Sequence, residues 1–389
     1  MQKSKAYYWA VLSITLCIWS SYASIELPKL LGPYFVGTKR IEVIDQGRLD
    51  PWAPTPNPRS PILQFWYPLE SNKSLHVAPW LPPNARTSIE RDWDVPPGTL
   101  ASLKTQTFAN GFAIFPLTTN NTTPVLVFSP GSGGLCAWYS GFLASLASFG
   151  YTIIGVNHPY DSSPLERPNG ELILQANTTD DIELAAKVRR DDVLWLAGQI
   201  AAESLCTWLP SDTACEERLG LNISLSIFRQ SLGRDTANLA MQDNMTLYKS
   251  GMSIDGPFFS PLNKTGFNGP LLYMAADKSC CHDMLVKEWS LISGWKLAVR
   301  VNGTTHGSFS DASALVPQLP TGDWGDIGSI KGSRLNEIVV MYTKEFWDWT
   351  LLGKGGGILL KHESEEYPEV MFEHLEQDEI WEGYLKEQP

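Results

Sequence analysis

Short apolar segments alternate with amphipathic ones along most of the chain. Residues 125–128 form an apolar run, and apolar positions at helical spacing follow over 138–148. Another run at 151–156 precedes a segment rich in alanine, leucine and charge at 182–203. The same criteria predict further strands at 62–67, 221–228, 251–254, 270–275 and 295–301. This alternation predicts an α/β fold with a mostly parallel central sheet, right-handed crossovers and helices on both faces.

No boundary divides the chain into comparable halves. It has 389 residues, and neither an internal repeat nor a Gly/Ser-rich linker interrupts the alternation. We expect one domain over 24–389, with an extended N-terminal segment and an acidic C-terminal tail. Acidic residues crowd positions 363–387, where we expect the solvent-facing surface of a helix.

The first 23 residues have the pattern of a secretory signal peptide. Lys3 and Lys5 precede an apolar run at 7–19, and the small side chains of Ser21 and Ala23 suit cleavage after Ala23. The run is shorter than the roughly 20 residues that span a bilayer, although an uncleaved anchor stays an alternative. No later segment is predicted to span a membrane. We therefore expect a secreted protein.

Eight sequons for N-glycosylation also favour export. Each has an asparagine followed by any residue except proline and then Ser or Thr, which makes it an acceptor in the secretory pathway. The asparagines are Asn72, Asn120, Asn121, Asn177, Asn222, Asn244, Asn263 and Asn302.

Loss of the signal peptide leaves five cysteines, so one thiol should stay free in an oxidising compartment. Cys206 and Cys215 close a short loop and are the expected disulfide. A zinc site at Cys280, Cys281 and His282 stays an alternative, but no second ligand pair has matching spacing.

The formal net charge of −12 argues against nucleic acid as a partner. No block of Lys and Arg is present to neutralise phosphates. The expected ligand is instead a small molecule or a lipid, with peripheral contact to a lipid surface as a further expectation.

Ser231 is the candidate nucleophile. It lies in the sequence RQSLG at 229–233, between the predicted strand 221–228 and a segment that can form a helix from Asp235. A serine on a sharp strand-to-helix turn has an exposed hydroxyl, and the next backbone N–H faces the developing oxyanion. Gly233 keeps half of the usual GxSxG pattern, whereas Arg229 takes the place of the other glycine.

His306 is the candidate base because it follows the strong predicted strand 295–301 in a short loop. Two carboxylates could orient it. Asp255 ends the strand directly after the nucleophile helix, and Asp277 ends the next strand. Spacing alone leaves the choice open and slightly favours Asp277.

The glycine-rich loop after residues 125–128 is the candidate oxyanion loop. Gly131, Ser132, Gly133 and Gly134 let the backbone approach a substrate carbonyl, so we expect the N–H groups of Ser132 and Leu232 to bind the oxyanion. The loop lacks the Lys-Ser/Thr end of a P-loop and the spacing of a dinucleotide site. Nucleotide binding is therefore disfavoured.

These residues resemble the platelet-activating factor acetylhydrolase family of plasma type, in particular its secreted fungal branch, within the α/β-hydrolase superfamily. The resemblance spans most of the mature chain. The matching segments are GPYFVG at 32–37, RLDP at 48–51, QFWYP at 64–68, FSPGSGG at 128–134, GY at 150–151, NHPYD at 157–161, SIDGPF at 253–258, HGSFSD at 306–311 and YPEV at 367–370.

The resemblance implies roles for particular residues. The family takes its acid from the strand directly after the nucleophile, which selects Asp255 over Asp277. It also implies hydrolysis of short or oxidised acyl chains at the sn-2 position of a phospholipid, without calcium, another metal or a cofactor. Departures occur at Pro130 in the oxyanion loop and at Arg229 and Arg234 around the nucleophile.

The sequence thus predicts a secreted serine esterase with Ser231, Asp255 and His306 as its triad. One alternative is a small-ester or polyester hydrolase with the same triad. Another is a binding protein on a hydrolase scaffold whose nucleophile turn, altered by Arg229 and Arg234, no longer supports catalysis. One of these arginines could instead bind an anionic group of the substrate.

Overall fold

The computed structural model describes most of the chain after the predicted signal peptide. The described residues are 24–116, 122–211, 222–231, 233–256, 266–277, 279, 286, 289–319, 325–373 and 375. Several sequence predictions fall outside them: the signal peptide, Leu232, Cys215, the group Cys280, Cys281 and His282, and the sequons Asn120, Asn121 and Asn263.

Ten of the described strands form one sheet, in the order β14-β13-β12-β11-β10-β6-β7-β4-β1-β5. Two strand pairs, β2 with β3 and β8 with β9, lie outside that sheet. The strands are β1 Phe35–Glu42, β2 Asp45–Leu49, β3 Pro58–Arg59, β4 Ile62–Leu69, β5 Thr107–Ala109, β6 Thr122–Ser129, β7 Thr152–Asn157, β8 Leu165–Glu166, β9 Leu172–Ile173, β10 Asn222–Gln230, β11 Tyr248–Ile254, β12 Leu271–Ala276, β13 Lys296–Val301 and β14 Val370–Phe372.

The centre of the sheet is parallel. Strands β7, β6, β10, β11, β12 and β13 pair in parallel in that spatial order, whereas β4 and β14 add antiparallel partners on either side. In parallel neighbours the carboxyl ends lie at one edge of the sheet, where the loops that follow them meet. The predicted mostly parallel sheet is confirmed.

Helices cover both faces of the sheet. They are α1 Pro83–Asp92, α2 Ser140–Ala147, α3 Ile182–Gln199, α4 Ala202–Trp208, α5 Gly233–Asp243, α6 Ala312–Leu315 and α7 Gly332–Thr350. Successive residues of β6 show the two layers: Leu126 and Phe128 pack with α2 and α7, whereas Val125 and Val127 pack with α3, α4 and α5. Both faces of this strand are buried, which explains its continuous apolar sequence.

Two segments differ from the sequence predictions. The segment predicted as one helix over 182–203 ends at Gln199, because Ile200 is extended, and α4 begins at Ala202. The expectation of a helix surface at 363–387 is wrong where the chain is described, since Val370–Phe372 is a strand that pairs with β13. Its pairing partner is distant in sequence, so local charge did not reveal it.

Other features bear on the sequence predictions in the described part of the chain. Cys136 is a free, buried thiol, while the pairing of Cys206 with Cys215 stays a prediction. No described helix is long and apolar enough to cross a membrane. No group of three or more His, Cys, Asp or Glu side chains among the described residues could hold a metal ion.

Candidate active site

The candidate triad lies at the carboxyl edge of the parallel strands. Ser231 follows β10, Asp255 follows β11, and His306 begins the short 3-10 turn His306–Ser308 in the loop after β13. The sheet therefore brings together three residues that are widely separated in sequence.

Ser231 occupies a sharp turn between β10 and α5. Its φ of +54° lies in the left-handed region, where a residue other than glycine is uncommon. The turn is held by the Ser231 N–H, which donates to the Ile254 carbonyl oxygen at 3.1 Å. The side chain is partly exposed. This is the geometry expected of a nucleophile on a strand-to-helix turn.

Asp255 orients His306. The Nδ1–H of His306 donates to Asp255 Oδ2 at 2.7 Å. Asp255 is fully buried, and its Oδ1 accepts the Ala276 N–H at 3.0 Å. The side chain of His306 is 43% exposed. This tautomer leaves Nε2 as a proton acceptor at the accessible side of the ring.

The other candidate acid, Asp277, serves the loop instead. Its Oδ1 accepts from Arg300 Nη1 at 2.9 Å, and its Oδ2 accepts the Gly303 N–H at 3.2 Å. Asp277 thereby braces the first part of the loop that carries His306. The structure brings Asp255, rather than Asp277, to the histidine.

Gln230 is a residue of the site that no sequence motif predicted. Its amide Nε2 lies 3.2 Å from His306 Nε2, the nitrogen that would accept the serine proton. Its Oε1 accepts the Tyr139 hydroxyl proton at 2.9 Å, and that hydroxyl accepts the Gly131 N–H at 3.3 Å. Gln230 therefore connects the base to the oxyanion loop. Its position directly before Ser231 was the only signal in the sequence.

The oxyanion loop lies against the nucleophile. A Cβ added to Gly131 would lie 3.1 Å from Ser231 Cβ and 2.6 Å from Gln230 Oε1, so a side chain there would crowd the nucleophile and displace Gln230. Ser132 is exposed beside it, while Leu232 lies outside the described residues. The structure thus brings the loop to Ser231, and the oxyanion roles of the Ser132 and Leu232 N–H groups stay predictions.

A buried arginine shapes the oxyanion loop. Arg189 donates to the carbonyl oxygens of Pro130 at 2.6 Å and Gly131 at 3.1 Å, and its Nε pairs with Asp161 at 2.5 Å. Asp161 Oδ1 accepts the Gly133 N–H at 3.1 Å. With both carbonyls turned toward Arg189, the loop has a defined conformation before any substrate arrives.

A second Ser-His-Asp arrangement lies beneath the loop. Ser129 Oγ is 3.0 Å from His158 Nε2, His158 Nδ1 is 2.8 Å from Asp192 Oδ2, and Arg59 pairs with Asp192 at 2.8 Å. All four side chains are buried. Burial lowers the pKa of His158 to about 4, so it is neutral. This group has no access to substrate and supports the sheet beneath the loop.

Arg229 does not reach the substrate side. Its side chain is fully buried, its strand neighbours are the small residues Ser129 and Ser253, and its Nη2 donates to Asn238 at 2.8 Å. Small residues on both neighbouring strands accommodate this side chain, so its buried position does not favour Arg229 as the arginine that binds an anionic group of the substrate. The structure does not describe the side chain of Arg234.

A cleft of about 510 Å³ opens beside the base. Gly307, the residue after His306, forms part of its wall, and the wall also contains Trp80, Trp93 and Trp138. Trp138 lies on the 3-10 turn Cys136–Tyr139, just after the oxyanion loop. The cleft thus adjoins the loop that carries His306 and the turn that follows the oxyanion loop.

The chain is similar to known esterases. Residues 19–167 match the family "Platelet-activating factor acetylhydrolase, isoform II". The resemblance that the motifs predicted is thereby confirmed over this part of the chain. A "Probable 1-alkyl-2-acetylglycerophosphocholine esterase" of Arthroderma benhamiae is 24% identical over 393 residues, which cover 90% of this chain and 94% of the relative.

A solved structure has a similar fold. The "Ferulic acid esterase from Streptomyces cinnamoneus" superposes with a TM-score of 0.75 at 24% identity, covering 90% of this chain and 99% of that one. This likeness confirms the predicted α/β-hydrolase fold. The match to the acetylhydrolase family and the similarity to the fungal esterase identify the chain as a carboxylic ester hydrolase.

Proposed function

We propose that this chain is a serine esterase that removes a short acyl group from the sn-2 position of a phospholipid. The observation that carries the proposal is the 2.7 Å contact between His306 Nδ1 and Asp255, beside Ser231 on its left-handed turn. The name of the fungal relative supports the substrate class, since that protein is described as a probable esterase of a 2-acetyl phospholipid.

The residues suggest a course for the reaction. His306 Nε2 takes the proton of Ser231 Oγ as the oxygen attacks the ester carbonyl carbon, and Asp255 stabilises the imidazolium that forms. The N–H groups of Ser132 and Leu232 would bind the negative oxygen of the tetrahedral intermediate. His306 then gives its proton to the departing alkoxide, and water releases the acyl group by the reverse sequence.

Access to the base requires one movement. The Gln230 amide, which contacts His306 Nε2, must turn away before that nitrogen can accept the serine proton. The movement breaks one hydrogen bond, with a net cost of about 0.5–1.5 kcal/mol. Binding of an ester between the oxyanion loop and His306 could supply this free energy.

The test compares hydrolysis of p-nitrophenyl acetate and a 2-acetyl phospholipid by the full chain, with and without EDTA. We expect Ser231→Ala to abolish turnover of both esters, and the exposed-loop variant Ser71→Ala to leave it unchanged. The rate of hydrolysis should be the same with and without EDTA, and it should be higher for the phospholipid than for p-nitrophenyl acetate. Turnover that survives in Ser231→Ala would overturn the serine mechanism, and a preference for the small ester would overturn the phospholipid assignment.

We also propose that the protein is exported and glycosylated, on the strength of its N-terminal pattern and sequons. Asn177 and Asn222 are the exposed sequons in the described residues, which makes them accessible acceptors. Expression in a eukaryotic host should place the chain in the medium with a mass that falls on peptide N-glycosidase treatment. Retention inside the cell with an intact N-terminus would refute export.

A further inference from the structure

The cleft beside His306 has an aromatic wall. The ring centroids of Trp80 and Trp93 lie 6.4 Å apart, and those of Trp93 and Trp138 lie 6.4 Å apart, with interplanar angles of 47° and 43°. The three tilted rings thus lie in a row along the cleft wall, with Trp93 in the middle. Tryptophan faces attract cations more strongly than other aromatic faces do.

The charged side chains on the described wall of this cleft are all carboxylates. Asp92 and Asp94 lie on either side of Trp93 at the rim, and both are exposed. Asp92 also contacts exposed Arg91 at 3.3 Å, whereas no cation pairs with Asp94 among the described residues. Asp94 has a φ of +52°, a conformation that is uncommon outside glycine. The rim therefore presents negative charge next to tryptophan rings.

Asp311 holds the aromatic wall in place. Its Oδ2 accepts the Trp80 indole N–H at 3.1 Å, and its Oδ1 accepts the Gly141 N–H at 2.8 Å. Burial raises the pKa of Asp311 to about 7. Asp311 is buried and its two oxygens are occupied by these N–H groups, whereas Asp92 and Asp94 are exposed at the rim. We therefore assign the orientation of Trp80 to Asp311, and the accessible carboxylates of the cleft to Asp92 and Asp94.

We propose that this cleft binds a quaternary ammonium group, with Trp80, Trp93 and Trp138 facing its methyl groups and Asp94 complementing its charge. A trimethylammonium ion cannot donate hydrogen bonds, so aromatic faces and nearby carboxylates are what recognise it. The proposal rests on the proposed function, because it assigns the choline-type head of the ester substrate to a wall that adjoins the base. It concerns binding and adds no chemical step.

Binding can be measured without turnover. Full-length Ser231→Ala protein is titrated in a calorimeter with choline and with 3,3-dimethylbutanol, its neutral analogue of the same shape, at constant ionic strength. We expect choline to bind at least about tenfold more tightly than the alcohol, since aromatic faces attract the cation and not a neutral group of the same shape. Equal affinities, or no choline binding, would overturn the proposal.

Two variants locate the site. In the Ser231→Ala background, Trp93→Leu should weaken choline binding about tenfold, because it removes the central aromatic face. Asp94→Asn should weaken it severalfold, because it removes a negative charge while asparagine tolerates the same backbone conformation. Asp180→Asn, a change at an exposed carboxylate outside the cleft wall, should leave binding unchanged. Unfolding temperatures check that each variant is folded. Unchanged binding in folded Trp93→Leu would overturn the assignment.

Glycerophosphocholine distinguishes the source of the ammonium group. If glycerophosphocholine binds more tightly than choline, the natural ligand is a phospholipid head group. If the two bind equally, the natural ligand is a free quaternary ammonium compound. Both results support the ammonium site. If choline binds but wild-type protein hydrolyses no ester, the proposed function fails and the site stands. If esters are hydrolysed but choline and the neutral alcohol bind equally, the site fails and the esterase stands.

Discussion

The amide nitrogen of Gln230 lies 3.2 Å from Nε2 of His306, on the atom that an esterase base needs for catalysis. Because Tyr139 donates to Gln230 Oε1, the amide presents its N–H side to the imidazole. The same Tyr139 hydroxyl accepts the N–H of Gly131 in the oxyanion loop. Gln230 thus covers the base, and Tyr139, which donates to Gln230, anchors the loop that faces the nucleophile.

The contact of Gln230 with His306 and the contact of Tyr139 with Gly131 can be tested separately with a double variant. Tyr139→Phe removes the anchor of Gly131 and should lower kcat/KM for p-nitrophenyl acetate about 2- to 10-fold, the equivalent of one net hydrogen bond. Adding Gln230→Ala to that variant then uncovers His306 Nε2 and should recover activity by a similar factor. A double variant slower than Tyr139→Phe would mean that Gln230 supports the base.

The two carboxylates give a direct comparison of roles. Asp255→Asn should reduce kcat by about 10⁴-fold, because an amide favours the wrong tautomer of the histidine. Asp277→Asn should have a much smaller effect, since Asp277 contacts Arg300 and Gly303 rather than His306. Steady-state kinetics with p-nitrophenyl acetate measures both. A larger loss in Asp277→Asn would reverse the assignment of the acid.

Gly131→Ala should inactivate the enzyme while the chain stays folded. The added methyl group would lie 2.6 Å from Gln230 Oε1, which can turn away, and 3.1 Å from Ser231 Cβ, which cannot. This second contact is closer than the roughly 3.5–4.0 Å of ordinary carbon contacts, so the oxyanion loop must shift away from the nucleophile. Gly198→Ala is the matched control, because nothing lies within 4 Å of its added Cβ and alanine favours the helix. If Gly131→Ala is about as active as Gly198→Ala, the oxyanion loop does not take part in catalysis.

His158 should make stability fall in acid. Its pKa of about 4 in the folded protein is below the ordinary value of 6.5, so between these values the unfolded chain binds a proton that the folded chain does not. The free energy of unfolding should therefore decrease as pH falls through this window, by up to about 1.4 kcal/mol per pH unit.

Urea unfolding from pH 6.5 to pH 4 measures this dependence. His158→Gln should flatten it, whereas His76→Gln, at an exposed histidine, should keep the slope of the wild-type protein. The comparison concerns slopes, so a general loss of stability in His158→Gln does not affect it. Identical slopes in all three proteins would show that His158 is not neutral in the folded state.

Much of the fold was predictable because the central strands are buried on both faces. Residues 125–128 and 151–156 are continuous apolar runs, and the structure has strands over both. Strand Phe35–Glu42 was missed, since it carries Lys39 and Arg40 and only partly alternates. Its place between β4 and β5 depends on partners elsewhere in the chain.

The sequence by itself determined the α/β class, because strand and helix periodicities are local. It also determined the candidates Ser231, Asp255, Asp277 and His306, because each follows a predicted strand. The carboxyl ends of parallel strands lie at the same edge of the sheet, so these four residues were expected to lie near one another. Only the tertiary structure decided which carboxylate contacts His306, that Gln230 covers its Nε2, and that Arg229 is buried. Those are contacts between distant segments, and their geometry depends on strand register and side-chain packing, which local patterns do not encode.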